Sequence, residues 1–411
     1  MDTYIARQPI LNKDSKVEAY ELIYYQGGRT YYNQNDSRVA NTIVSFFNQV
    51  DGASFLGNKD CFLTFTPNLL MQNIPRVFDE KKLVIQFEDN VLVNPASKII
   101  LDRYKKQGYR LAFSGFDFNN RHLDILPSVD IIKVDFSKFD KDETEKIVSI
   151  AKKLNKKLAA YNVDNEQARN LAKEYDFDYI QGQAIAELES SKIKKLDHLQ
   201  STFFRLMVAV TKEEPDFDEI AQLISLDVSL TFSLIKMVNS AYFSIPNKIK
   251  DVKQALTVIG LGQLKQWIYL LGFVPNGGMT DELIKTSFLR AVFCQQLSKY
   301  VKDFKSTETE AYLLGMFSTL DALLGVTLED AVKELPISDD IKEGLVQRTG
   351  PCGELLNMCI CYENGEWSKA EKCAVAIDIP VNIIAQTYVN AVKYVNETME
   401  ELMKPFVEQN K

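Results

Sequence analysis

Short apolar runs alternate with amphipathic stretches along the first half of the chain. Runs at Tyr20–Tyr25, Cys61–Phe65, Leu83–Phe87, Arg110–Phe113, Ile131–Val134, Lys157–Ala160 and Tyr179–Ile180 predict strands. Between them a helical period recurs near residues 37–50, 67–72, 95–107, 141–154 and 165–175. Gly108-Tyr109 closes one of these helices just before a strand. Strands alternating with helices predict a parallel sheet, and seven or eight such units predict a TIM-like β/α barrel. Each unit is short, so the expected barrel is trimmed or irregular. The Tyr- and Asn-rich segment 24–36 predicts a loop or a modified first helix.

The pattern changes around residues 186–197. Glu187-Leu188-Glu189-Ser190-Ser191-Lys192 is polar and reads as a linker or the start of a connecting helix. Beyond it the period is helical: Asp216–Leu226, Ser229–Asn239, Asp251–Ile259, Gly262–Leu271, Thr280–Lys302, Glu308–Leu320 and a long terminal helix over Val381–Leu402. Ile220, Leu223 and Ile224, then Leu230, Leu234 and Met237, keep one face apolar. Two domains are expected, an α/β barrel over residues 1–190 and an all-α domain over 191–411.

Composition narrows this picture. A length of 411 residues suits two or three domains, and 46% hydrophobic residues can build their cores. No apolar run reaches the ~18–20 residues of a membrane span. The early Arg7-Gln8-Pro9-Ile10 is not preceded by a basic and then apolar leader, so a cytoplasmic location is expected. A net charge of −8 argues against nucleic acid as a partner. Lys152, Lys153, Lys156 and Lys157 read as the solvated face of an amphipathic helix rather than as a binding patch. Four of the six cysteines fall between 352 and 373 without a Cys-x-x-Cys pair or a nearby His, so they read as buried reduced thiols. The two histidines, His122 and His198, exclude multi-histidine metal chemistry, and His122 reads as a surface or loop residue. Gly260-Leu261-Gly262 reads as a turn at a helix junction.

Six segments then fall in an informative order: Tyr20-Glu21-Leu22-Ile23, Phe62-Leu63-Thr64-Phe65-Thr66, Ile85-Gln86-Phe87-Glu88, Leu111-Ala112-Phe113-Ser114-Gly115-Phe116, Ile132-Lys133-Val134-Asp135 and Asp178-Tyr179-Ile180-Gln181-Gly182. Together they resemble the EAL domain, the phosphodiesterase module that hydrolyses cyclic di-GMP, over residues 1–190. The resemblance implies a β/α barrel whose carboxylates hold two divalent cations that activate a water. Glu21 stands at the name-giving glutamate, and Lys133, Asp135 and Gln181 are retained. Tyr25 replaces an arginine, Thr64 an asparagine, Ile85 a glutamate, and Ser114-Gly115 an aspartate pair. Tyr161 replaces a glutamate and Asp164 shortens another. The resemblance therefore implies a vestigial set, Glu21, Lys133, Asp135, Asp164 and Gln181, with no catalytic residue, no metal, no cofactor and no enzyme activity. Two readings of the survivors stand side by side: internal hydrogen bonds at strand ends, or a residual pocket that binds a ligand without cutting it.

The second half carries Leu234-Ile235-Lys236-Met237-Val238-Asn239-Ser240-Ala241-Tyr242-Phe243, then Ile249, then Ala255-Leu256-Thr257-Val258-Ile259-Gly260-Leu261. This series resembles the HDOD domain, a helical output module related to HD phosphohydrolases. Ser318 and Thr319 stand where an HD enzyme has its metal-binding His-Asp pair. The corner Asn239–Pro246 reads as packed or as a recognition edge with Asn239, Tyr242 and Phe243 as candidate contacts. The whole resembles bacterial EAL–HDOD signalling proteins. It implies a non-catalytic cytoplasmic adaptor in cyclic-di-GMP-related signalling, with a protein partner on the helical domain, no membrane and no nucleic acid. The alternative is a sensor that binds cyclic di-GMP, if only weakly, without hydrolysing it.

Overall fold

Asn12 starts the architecture by making a turn. Its side-chain oxygen accepts the backbone N–H groups of Asp14 and Lys16, each at 3.0 Å, and Ser15 takes a left-handed φ of 62°. In the computed structural model this turn joins β1 (Thr3–Asn12) to β2 (Val17–Gln26) as an antiparallel pair. The structure describes residues 3–26, 29–30, 55–182 and 199–407, apart from 95, 213, 227, 240–248, 250, 272–280, 303, 325–326, 334 and 336. The helix expected near 37–50 and the polar segment 187–192 lie outside the described residues.

Seven further strands follow: β3 (Arg29–Thr30), β4 (Asp60–Thr64), β5 (Leu83–Phe87), β6 (Arg110–Ser114), β7 (Ile131–Asp135), β8 (Lys157–Tyr161) and β9 (Tyr179–Ile180). β2 and β4 to β9 run parallel, each beside the next. β1 pairs antiparallel with both β2 and β9 and closes an eight-stranded barrel, leaving β3 as an extra strand on β2. All seven expected strands form. The trimming shows in β9, which has two residues. Closure by an antiparallel β1 is not foreseen from the sequence.

One buried layer takes a residue from every strand of the ring: Ile10, Ala19, Phe62, Val84, Ala112, Ile131, Ala159 and Tyr179. Their side chains fill the floor of the barrel. Helices Ala96–Lys106, Lys141–Lys153 and Glu166–Glu174 flank the strands. The last two are capped by Asp140, which accepts from the Glu143 N–H, and by Asn165, which accepts from the Ala168 N–H.

The chain forms two compact units. The first comprises residues 1–188 together with 360–372 and 380–389. The two late segments complete β1. Its β9 pairing covers only Leu11 and Asn12, so farther along the strand the N–H groups on that edge need other acceptors. Ile5 N–H donates to the Tyr362 hydroxyl at 3.2 Å and Arg7 N–H to the Tyr388 hydroxyl at 3.5 Å. The boundary expected at 190/191 lies outside the described residues; segments 360–372 and 380–389 group with the barrel.

The second unit comprises 189–359, 373–379 and 390–411, and its described residues hold no strand. Its helices include Leu199–Thr211, Phe217–Ser225, Val228–Val238, Val252–Leu271, Asp281–Ser298, Glu308–Met316 and Asp339–Val346. Gly260, at φ 69° and ψ 163°, breaks the Val252–Leu271 helix where the sequence expects a junction. Among the described residues no helix is long and apolar enough to cross a membrane.

Candidate functional site

A strand directs alternate side chains to one face, so the residue two positions from each floor residue also points inward. Around the ring these are Gln8, Glu21, Thr64, Gln86, Ser114, Lys133, Tyr161 and Gln181. The apolar floor is thus followed by a polar layer, at the C-terminal ends of the parallel strands where β/α barrels hold their sites.

The layer is tied together by one cation. Lys133 Nζ donates to Glu21 Oε2 at 2.9 Å, to Gln86 Oε1 at 2.7 Å and to Gln181 Oε1 at 3.5 Å. It also stands over the Tyr161 ring, 5.0 Å from the centroid. Gln86 Nε2 donates to Glu21 Oε1 at 2.8 Å and to Thr64 Oγ1 at 2.7 Å, and Gln181 Nε2 donates to Gln8 Oε1 at 3.1 Å. Lys133 is 3% exposed and Glu21 7%, so their pairing is set by the protein rather than by solvent. Burial pushes the Glu21 carboxyl up. The Lys133 ammonium, with hydrogen bonds from Lys133, Gln181 and Gln86, outweighs burial and holds it below the ordinary glutamate value. Burial raises Glu88, aided by the charge of Glu21. Burial and then the charges of Asp135, Glu88 and Glu21 raise Tyr161, which therefore stays a neutral phenol.

Three of the expected residues, Glu21, Lys133 and Gln181, meet in this layer. Asp135 lies one inward step farther, and its Oδ1 accepts from Asn162 Nδ2 at 2.8 Å, from the Ser137 N–H at 3.0 Å and from the Ser137 hydroxyl at 2.7 Å. Asp164 is exposed after β8. The alignment at β5 needs correction: Gln86, not Ile85, faces the layer, and Ile85 is fully buried on the other side of the strand. Counting two positions on from Val84 would have found Gln86.

A pair of divalent cations needs several anionic oxygens. Here the polar layer holds one carboxylate, Glu21, already bonded to Lys133, beside neutral Thr64, Gln86, Ser114 and Gln181. These residues do not fit such a pair. Among the described residues no group of three or more His, Cys, Asp and Glu side chains could hold a metal ion. One atom of the layer is left over. Ser114 Oγ is buried and has no hydrogen-bond partner among the described residues. Gly115, next along, has a left-handed φ of 78° with open space where a Cβ would stand.

Other expectations resolve elsewhere. His122 is not a surface residue. It is buried, bonded through Nε2 to Asp89 Oδ1 at 2.7 Å and through Nδ1 to the Asp117 N–H at 3.0 Å, with the Phe113 ring edge-on at 4.8 Å between centroids. Asn239 ties Ile249 to the helix end: Nδ2 donates to the carbonyls of Ile235 and Ile249, and Oδ1 accepts the Ile249 N–H, each at 2.8 Å. Tyr242 and Phe243 lie outside the described residues. Ser318 and Thr319 are buried, Ser318 donating to the Gly315 carbonyl at 2.7 Å and Thr319 sharing a hydrogen bond with Ser287. The six cysteines are reduced thiols. Cys61, Cys294, Cys352 and Cys359 are buried and Cys361 and Cys373 half-buried.

Residues 196–337 match the HDOD domain family. The chain is 28% identical over 389 residues to the uncharacterized protein YuxH of Bacillus subtilis, covering 92% of this chain and 95% of that protein. It is 27% identical over 398 residues to a Vibrio cholerae protein named cyclic di-GMP phosphodiesterase CdgJ, covering 95% of this chain and 92% of that protein. Among solved structures it is similar to the EAL enzyme Bd1971 in its cAMP- and cyclic-di-GMP-bound form, at 13% identity and a TM-score of 0.39, covering 45% of this chain and 61% of that one. The barrel is established by its own strand order. The expectation of no enzyme activity is overturned by the likeness to CdgJ, which spans nearly the whole chain and carries a phosphodiesterase name. With an EAL-like barrel in its first half and an HDOD domain at 196–337, the chain resembles the bacterial EAL–HDOD proteins.

Proposed function

We propose that the polar layer of the barrel binds cyclic di-GMP and that the chain works in cyclic-di-GMP-related signalling in the cytoplasm. Ser114 Oγ carries this reading. A buried hydroxyl without a partner costs about 1–3 kcal/mol and calls for an explanation. A ligand oxygen arriving at the mouth supplies that partner. The open space at Gly115 lets a ligand approach the backbone there. The half-buried Tyr161 ring, whose inner side is covered by Lys133, offers an aromatic surface to a base at the mouth. The ligand is the one that the names of CdgJ and of the bound Bd1971 form carry.

Calorimetric titration of the full chain with cyclic di-GMP, with and without Mg²⁺, tests this. Product analysis of the same samples reads turnover. Saturable binding is expected, and its absence up to millimolar nucleotide refutes the reading.

Output by protein contact through the helical half is a second reading, and Leu226 favours it. This large apolar side chain at the end of Phe217–Ser225 is 77% exposed. Leu226→Ser is expected to weaken capture of a partner by the full chain, and equal capture by parent and variant counts against it.

A further inference from the structure

The helical unit contains a half-open cavity of about 250 Å³. Its wall includes Lys265, Phe288, Val292, Gln295, Gln296 and Tyr394. Among the described residues no acidic side chain lines it. Among the described residues of the wall Lys265 is the only charged one, and it is half-buried. Desolvation alone moves it, holding its ammonium below the ordinary lysine value. No carboxylate among the described residues opposes that shift. This contrasts with Lys13, Lys98, Lys105, Lys212 and Lys253, each of which has a carboxylate within 4.0 Å.

The remaining wall chooses the rest of a ligand. Phe288 and Tyr394 meet edge-on, with centroids 6.1 Å apart at 63°, and Val292 adds an aliphatic surface. Such a wall suits a flat apolar body. The Gln295 and Gln296 amides can donate to an oxygen held beside Lys265. One ammonium balances one negative charge, so a monoanion is favoured over a phosphate dianion. The volume lies just under the ~300–1,000 Å³ of drug-sized sites, which limits the body to a ring or two.

We infer that this cavity is a binding site for a small aromatic carboxylate, with its carboxylate on Lys265 and its ring against Phe288, Val292 and Tyr394. The site is independent of the barrel reading, because all of its residues belong to the helical unit.

Sodium benzoate is the probe, titrated calorimetrically into the full chain at constant ionic strength, with benzyl alcohol and inorganic phosphate as comparison arms. Benzoate is expected to bind saturably at one site and to raise the melting temperature. Benzyl alcohol and phosphate are each expected to bind at least about tenfold more weakly. Lys265→Met keeps the aliphatic stem and removes the charge, so it is expected to fold as well as the parent and to lose at least about tenfold in benzoate affinity. Val292→Phe fills the cavity without touching the charge and is expected to abolish binding. If Val292→Phe fails to fold, the Lys265→Met titration decides alone. The inference is overturned by the absence of saturable benzoate binding to the parent at millimolar concentration. It is overturned equally by unchanged affinity in Lys265→Met, or by benzyl alcohol or phosphate binding as tightly as benzoate.

Discussion

Lys133 Nζ stands 2.9 Å from Glu21 Oε2, inside the barrel and two positions along each strand from the apolar floor residues Ile131 and Ala19. Removing one partner of such a pair leaves the other charge buried and uncompensated. Lys133→Met is therefore expected to destabilise the barrel by ~3–5 kcal/mol, whereas the neutral double variant Glu21→Gln with Lys133→Met recovers most of that loss. Urea unfolding followed by circular dichroism measures both. Equal stability of the single variant and the parent would mean that the pair is not closed in solution.

The same pair sets a pH dependence. The folded Glu21 carboxyl lies below the unfolded value of about 4.3. A carboxylate with a depressed folded pKa contributes stability that is fully present above the unfolded value and lost as the pH falls through the folded one. Barrel stability is thus expected to fall below about pH 4 in the parent. The fall is expected to be shallower in the neutral double variant. Melting temperatures across pH 3–7 check this, and superimposable profiles would contradict it.

Much of this was legible in the sequence, and the limits have physical causes. All seven expected strands form because each parallel strand is buried on both faces and reads as a continuous apolar run. β1 escapes notice because it mixes Arg7, Gln8 and Pro9 with apolar residues, and because distant Tyr362 and Tyr388 supply acceptors for its free edge. Glu21, Lys133 and Gln181 are found by motif, but Gln86 is missed. A motif aligned one position off places the neighbour from the opposite face in the site, since strand side chains alternate. His122 reads as exposed from its polar neighbours Arg121 and Asp124, whereas Asp89 and Phe113, remote in sequence, bury it.

Two glycines of the helical unit behave oppositely. A Cβ at Gly315 would lie 2.2 Å from the Arg290 carbonyl oxygen, so helices Asp281–Ser298 and Glu308–Met316 touch backbone to backbone there. Gly315→Ala is expected to cost ~1–3 kcal/mol through overpacking. Gly262 has no atom within 4 Å of its missing Cβ and lies in the first turn of the helix that resumes after the break at Gly260. Gly262→Ala is expected to stabilise by up to ~0.5 kcal/mol. Thermal melts of the two variants decide, and a shift of the same sign in both would contradict the packing described.

Asn239 holds Ile249 through hydrogen bonds in both directions. Asn239→Ala leaves the Ile249 groups without these partners and is expected to cost ~1–3 kcal/mol. Asn239→Asp keeps the acceptor for the Ile249 N–H but loses the donor, and is expected to fall between parent and alanine variant. An alanine variant as stable as the parent would show that solvent replaces these bonds.

The central claim, that the polar layer receives cyclic di-GMP, is tested most directly at Ser114. Ser114→Ala removes a buried hydroxyl without a partner, so the fold is expected to be as stable as the parent or slightly more so. If the hydroxyl meets the nucleotide, the same change is expected to weaken cyclic di-GMP binding about tenfold, equivalent to ~1.4 kcal/mol. Calorimetric titration of parent and Ser114→Ala with cyclic di-GMP gives the answer. Saturable binding by the parent with about tenfold weaker binding by a fully folded variant is the predicted result. Equal affinity in the two proteins, or no binding by the parent, would contradict the claim.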